Sequence, residues 1–303
     1  MEKMVSGIPG MDDLLRYKDL PSFCRLPMDD PTFRFMVEEI QALPRVSALL
    51  LNTFDDLDAS ILPHIALHFP QIYTIGPIHA LLKSHVGGDL SSSAASLCHE
   101  DRRCMAWLDS QRLGSVIFVS FGSLSKMTRG QLLELWHGLV NSSKQFLLVL
   151  RPDMIDGEER EAGVIPAKLD VGAKQRGFIV EWAPQEEDLA HEAAGGFLTH
   201  SGWNSTMDGI WVGVPMLCSP QIADQPIISR LVGEVWKIGF DMKDKYDRIT
   251  VEKMVRTLME EGDQREEILE SVKKFVKLAR LAVSEGGTSY NNLEKLIHNL
   301  TNM

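Results

Sequence analysis

Apolar residues recur along this chain with two different periods. Phe33, Met36, Val37, Ile40 and Leu43 share one face of a helix. Asp30 followed by Pro31 supplies its start, with the carboxylate as N-cap and proline at the first helical position. Short apolar runs predict strands at 47–52 (SALLLN) and 71–75, the second closed by Gly76-Pro77. Two strands and one helix cannot cover both faces of a parallel sheet, so this region reads as part of a larger α/β domain.

The pattern dissolves between 78 and 96, and 85–96 (HVGGDLSSSAAS) has the Gly/Ser composition of a flexible linker. From about 100 to 260 strands and helices alternate. The run 116–121 (VIFVSF) is continuously apolar, as in a strand buried on both faces. Thr128 and Gln131 form a capping-box pair before Leu132, Leu135, Trp136 and Leu139, which share a helical face. Further strands are expected at 146–150, 178–181, 196–199 and 215–218. This rhythm predicts a Rossmann-like doubly wound sheet. Helices follow at 251–261, 265–283 and 289–300. The chain divides on these grounds into 1–80, a linker at 81–100, a second domain at 101–284 and a last helical segment at 285–303.

Composition excludes more than it selects. The formal net charge of −11 argues against nucleic acid as a partner, which would need a clustered basic face. Lys273, Lys274, Lys277 and Arg280 come nearest to one, but they alternate with apolar residues at helical spacing and read as a solvated helix face. The 4 cysteines are scattered, which fits a reducing, cytoplasmic setting better than a disulfide framework. No apolar run approaches the ~18 residues of a membrane helix.

Chemistry concentrates in 182–225, WAPQEEDLAHEAAGGFLTHSGWNSTMDGIWVGVPMLCSPQIADQ. A strand ends at His200 and a helix begins near Trp203-Asn204-Ser205. Free N–H groups of such a first turn, with the helix dipole, favour a bound phosphate, and His200, Asn204 and Ser205 add side-chain donors. The arrangement could hold a diphosphate without a metal ion.

This segment resembles the signature of plant secondary-product glycosyltransferases, a branch of the family 1 UDP-glycosyltransferases with the two-domain GT-B fold. Trp182, Pro184, Gln185, Leu189, His191, Phe197, His200, Gly202, Trp203, Asn204, Ser205, Gly213, Pro215, Pro220, Asp224 and Gln225 keep the family spacing. Outside it, Asn52-Thr53-Phe54, Ile75-Gly76-Pro77, Trp107-Leu108-Asp109, Phe121-Gly122-Ser123 and Gly286-Gly287 also have counterparts. The nearest subgroup acts on cyanohydrins and on iridoid and terpenoid alcohols. The resemblance implies inverting transfer of glucose from UDP-glucose to a hydroxyl of a small lipophilic acceptor, with no metal. It assigns Trp182 to stack on uracil, with Ala183 at the base edge. Gln185 and Asp208 take the ribose; Ser123, His200, Asn204 and Ser205 take the diphosphate. Trp203, Asp224 and Gln225 hold the sugar, and a final Gln goes with glucose rather than galactose. His191 is as consistent with packing as with a ligand contact.

Two departures from the family stand inside the signature. Asp208 replaces the usual Glu, one methylene longer, and Ser219, Gln221 and Ile222 replace aromatic residues, which predicts a less tightly buttressed sugar loop. A third concerns the general base. The resemblance places the His that deprotonates the acceptor, and the Asp that orients it, upstream of residue 1, with 1–80 as the last part of an N-terminal acceptor domain and 285–303 packing back toward it. That leaves a second expectation, a fragment that binds donor and transfers nothing. It also predicts that the apolar faces of 33–43 and 47–52 lack partners. Other chemistries find little support. His64 and His68 lack the Glu of a zinc-protease pair, and Cys98-His99 with Cys104 lacks a second ligand pair. FGSLS after the first strand of the second domain is not the Gly-rich turn of a dehydrogenase.

Overall fold

The computed structural model describes residues 1–86, 96–155, 176–242 and 246–302. Their contacts divide the chain into one unit of Met1–Leu90 with Lys274–Met303 and a second of Ser91–Lys273. The return to the first unit falls inside a long helix, not at the Gly286-Gly287 pair where composition suggested a break.

In the first unit α1 (Pro31–Ala42) begins as expected, the Asp30 carboxylate accepting hydrogen bonds from the Thr32 and Phe33 amides. None of its residues is buried. β1 (Leu49–Leu51) and β2 (Ile72–Thr74) pair in parallel, with the one-turn helix α2 (Leu62–Ile65) between them. Loop was expected from 78 onward, yet Ile78–Val86 forms α3, where the Ala80 and Leu81 amides donate to the Pro77 carbonyl and both side chains are buried. The helix was hidden because its apolar residues sit beside the Gly/Ser run, of which 87–95 lies outside the described residues.

The second unit carries α4 (Arg103–Asp109) and then a sheet of six parallel strands. These are β3 (Val116–Ser120), β4 (Gln145–Val149), β5 (Gly177–Val180), β6 (Ala194–Thr199), β7 (Met216–Cys218) and β8 (Gly239–Asp241). The order β5-β4-β3-β6-β7-β8 makes β3 and β6 neighbours, with their connections leaving in opposite directions. A crevice therefore opens beyond their carboxyl ends, where doubly wound sheets bind ligands. Every residue of β3 is buried, as its unbroken apolar run requires. β8 was missed because three residues are too short to show a period.

Helix α5 (Arg129–Ser142) starts with the expected capping box of Thr128 and Gln131. Its Leu132, Leu135, Trp136 and Leu139 pack with Ile117, Val119, Phe146 and Leu148 of the sheet and with Val251, Val255 and Leu258 of α9 (Arg248–Met259). Phe118 and Phe197 meet across the other sheet face at 5.4 Å between ring centroids. Between them α6 (Gln185–Ala190), α7 (Trp203–Val212) and α8 (Gln225–Arg230) follow β5, β6 and β7.

The long α10 (Asp263–Val283) exposes Lys273, Lys274, Lys277 and Arg280, a solvated face as expected. The last helix, α11 (Thr288–Thr301), lies on β2 within the first unit. Asn292 donates to the Thr74 hydroxyl at 2.8 Å, Asn299 to the Tyr73 hydroxyl at 2.6 Å and Ser289 to the Gly76 carbonyl at 2.7 Å.

Candidate donor site

At the carboxyl ends of β3 and β6 lies a cavity of about 290 Å³. Ser123, Trp182, Ala183, Gln185, Asn204, Ser205 and Asp208, drawn from across the signature and from the β3 loop, all line it. His200, Trp203, Asp224 and Gln225 do not.

Each wall has a local cause. Trp182 follows β5 directly, and its indole N–H donates to the Ser96 hydroxyl at 2.9 Å, which in turn donates to the Cys98 carbonyl at 2.9 Å. The ring is therefore held by a hydroxyl with both of its roles in use. Gln185 opens α6 and donates through one amide nitrogen to the Ser205 hydroxyl at 3.0 Å and to the Asp208 carboxylate at 2.8 Å. Residues assigned separately to ribose and diphosphate thus touch one another directly. The shorter Asp208 does not leave a gap, because the Gln185 amide reaches it.

α7 has Gly202 as its N-cap, a residue with no side chain to cap the first turn, and Asn204 and Ser205 of that turn line the cavity. His200 fills the space between two loops. A Cβ on Gly122 would come within 2.5 Å of its Nε2, and one on Gly202 within 2.4 Å, so only glycine lets both backbones close on the ring. Gly122 also has φ +68°. His200 is 9% exposed, and its Nδ1 has no hydrogen-bond partner among the described residues. Burial pulls its pKa down to about 4, against a hydrogen bond to the Ser120 backbone that favours the charged form. The imidazole is neutral at physiological pH. It brings no charge to a phosphate, and its single N–H can serve one only by leaving the Ser120 backbone.

The loop assigned to the sugar differs from expectation. Instead of being loosened by the loss of aromatics, 219–225 is closed by polar groups. The Gln225 Oε1 accepts from the Gln221 amide at 2.8 Å and the Ile222 amide at 2.9 Å. The Gln221 side chain donates to the Ser219 carbonyl at 3.0 Å and its hydroxyl at 3.3 Å. Both lone pairs of the Gln225 oxygen are in use, so only its NH₂ group can serve a ligand. Trp203 meets Trp236 edge-on at 6.2 Å between centroids, and packing accounts for that contact. His191 is structural: Nδ1 accepts from the Ala193 amide at 3.1 Å, which leaves Nε2 to donate to Asp109 at 3.2 Å.

Sequence reading passed over Ser96, Arg151 and Asp188. Asp188 is buried in α6, where the Cys104 thiol of α4 donates to it at 3.3 Å. Burial pushes Asp188 up to about 7 and, with the Asp188 charge adding to it, the thiol up to about 12. Such a thiol is neither nucleophile nor metal ligand. An acid among the apolar residues of a helix was the available signal for Asp188. A lone Arg closing an apolar strand was the one for Arg151.

Comparison with known proteins supplies the family. Residues 33–273 match the family described as UDP-glucoronosyl and UDP-glucosyl transferase. The chain is 50% identical over 301 residues to a 7-deoxyloganetic acid glucosyltransferase of Catharanthus roseus, spanning 98% of this chain and 62% of that protein. It is 48% identical to mogroside I-A1 synthase of Siraitia grosvenorii, over 93% of this chain and 55% of the relative. The chain thus spans less than two thirds of the length of these relatives. Os79 of O. sativa, solved in complex with UDP, superposes with a TM-score of 0.82 at 33% identity, covering 96% of this chain and 64% of that one. Phytolacca americana UGT2, complexed with UDP-2fluoro-glucose and pterostilbene, gives 0.79 at 28% identity, covering 95% of this chain and 62% of that one. With its parallel α/β sheet of GT-B type and with Trp182, Gln185, Asn204, Ser205 and Asp208 of the signature lining one cavity, the chain belongs to the UDP-glucoronosyl and UDP-glucosyl transferase family.

Proposed function

We propose that the 101–284 region binds UDP-glucose for inverting transfer of glucose to a hydroxyl of a small lipophilic plant metabolite. The observation that carries this reading is the convergence of Trp182, Gln185, Ser205 and Asp208 on one cavity beside the uncapped start of α7. In it Trp182 stacks on the base and Gln185 and Asp208 hold the ribose. Ser123, Asn204, Ser205 and His200 receive the diphosphate, and Trp203, Asp224 and the Gln225 amide face the sugar. No metal is required, since helix-terminal amides and neutral donors suit a diphosphate. No group of three or more His, Cys, Asp or Glu able to hold an ion occurs among the described residues. We place the protein in the cytoplasm, as four unpaired cysteines suggest. No described helix is long and apolar enough to cross a membrane.

A second reading, donor binding without transfer, is not favoured by the relatives named as glucosyltransferases; its one prompt is the histidines. Inversion needs a base near the acceptor hydroxyl. No histidine lines the cavity, and the pKa of about 4 makes His200 a poor base. Melting curves separate binding from its absence: saturating UDP should raise the melting temperature, because a ligand of the native state stabilises it. No rise at millimolar UDP would remove the donor assignment. UDP release from UDP-glucose with a panel of acceptor alcohols would overturn the non-transferring reading. For the sugar contact, Gln225→Glu keeps the acceptor oxygens that close the loop while deleting the NH₂ donor. It should weaken UDP-glucose binding and spare UDP; equal effects on both would sink the role given to Gln225.

A further inference from the structure

The cavity presents a charge problem. Among the described residues its lining includes Glu100, Glu186 and Asp208 and no Lys or Arg, in a protein of net charge −11. A diphosphate entering it meets fixed negative charge. His200, neutral, supplies none of the opposite sign, and a helix N-terminus is worth roughly half a charge.

A cation does lie immediately behind the wall. Arg151, the second residue after β4, is 6% exposed. Its guanidinium donates to the Ser123 carbonyl through one nitrogen and to the Ser125 carbonyl at 2.6 Å through another. It therefore grips both ends of the short loop after β3 that presents Ser123 to the cavity. Its carboxylate partner is weak: Asp153 lies 3.7 Å away and its side chain is 60% exposed. A buried guanidinium satisfied by carbonyls and only loosely paired leaves much of its field uncompensated. The field acts close to the site: Ser123, which Arg151 holds by its carbonyl, lines the cavity, and the charge also helps to lower the pKa of His200.

We infer that Arg151 is a positioning residue for the diphosphate, one that sets the 122–125 loop and places an unneutralised positive charge behind it without touching the ligand. This rests on the donor site proposed above. It predicts that Arg151 governs discrimination between UDP and uridine, which shares the base and ribose but carries no phosphate. A residue needed only for folding would weaken both alike.

The test is titration of the full chain with UDP and with uridine. Arg151→Gln should lower UDP affinity by about 10- to 100-fold, the scale of a unit charge roughly 6–12 Å from a phosphate at an effective dielectric of about 20, and leave uridine within about twofold. Arg151→Lys keeps the charge but cannot span both carbonyls, so its UDP-to-uridine ratio should fall by an intermediate factor of about 3 to 10. If Arg151→Gln does not fold, Arg151→Lys decides alone: an unchanged ratio overturns the inference. Parallel losses for UDP and uridine would reduce Arg151 to a structural clamp and also overturn it. Failure of the wild-type chain to bind either ligand would instead refute the donor site itself.

Discussion

The two parallel sheets of this protein were written in the same sequence grammar and came out differently. In the six-stranded sheet every residue of β3 is buried and α5 seats an unbroken apolar face on it. In the first unit α1 has an equally well-formed start, yet Phe35 is 58% exposed and Ile40 49%, and Leu50 of β1 is 49% exposed. Capping and periodicity therefore decide whether an element forms. Whether its apolar face is covered depends on a second layer, which local sequence does not report.

The sharpest way to break this comparison is to delete apolar groups on both sides of it. Phe146→Ala, in β4 against Trp136, should cost about 3–5 kcal/mol in urea denaturation, while Ile40→Ala in α1 should cost under about 1. Equal losses would mean that the first unit is packed as tightly as the second.

A next, smaller effect is the pH dependence of the second unit, which holds both Asp188 and His200. Asp188, raised to about 7, holds its proton in the folded state over a range where the unfolded chain has lost it. Its contribution to stability therefore grows as pH falls from 7 toward 4, and its charge is a cost above 7. His200 works in the opposite sense: with a pKa of about 4 it stays unprotonated while the unfolded chain takes up a proton below about 6.5, so stability is lost over the same window. The two largely offset one another. Asp188→Asn should stabilise the protein by about 4 kcal/mol at pH 8, and that advantage should vanish near pH 4. A gain independent of pH would contradict the buried carboxylate.

The smallest effects come from the helix starts. Thr128→Ala and Asp30→Ala each remove a cap worth about 1 kcal/mol. The comparison predicts where each loss appears. Thr128→Ala should lower the global unfolding midpoint, whereas Asp30→Ala should speed amide exchange in α1 and leave the midpoint nearly unchanged. A shared global response would join the two regions into one cooperative block.

Much of the second unit was legible because its signals are redundant. The run 116–121 and the Thr128–Gln131 pair each specify their element without help, and both formed. The short α6, α8 and β8 were not legible, because they form where the sheet supplies partners. For the site, residue types and spacing named the cavity wall, but not its internal wiring. That Gln185 would bridge Ser205 and Asp208, or that Gln225 would spend its oxygen on the loop, depends on distances that appear only after folding. Ser96 lies at the edge of a run read as linker, which concealed its bond to Trp182.

The donor site is tested most directly by a calorimetric titration of UDP into the 303-residue chain and its Trp182→Ala variant. It predicts saturable binding at one site, weakened by about 5- to 150-fold in the variant, the range of a lost base–aromatic stack. Absence of saturable heat at millimolar UDP, or an affinity indifferent to Trp182, would contradict it.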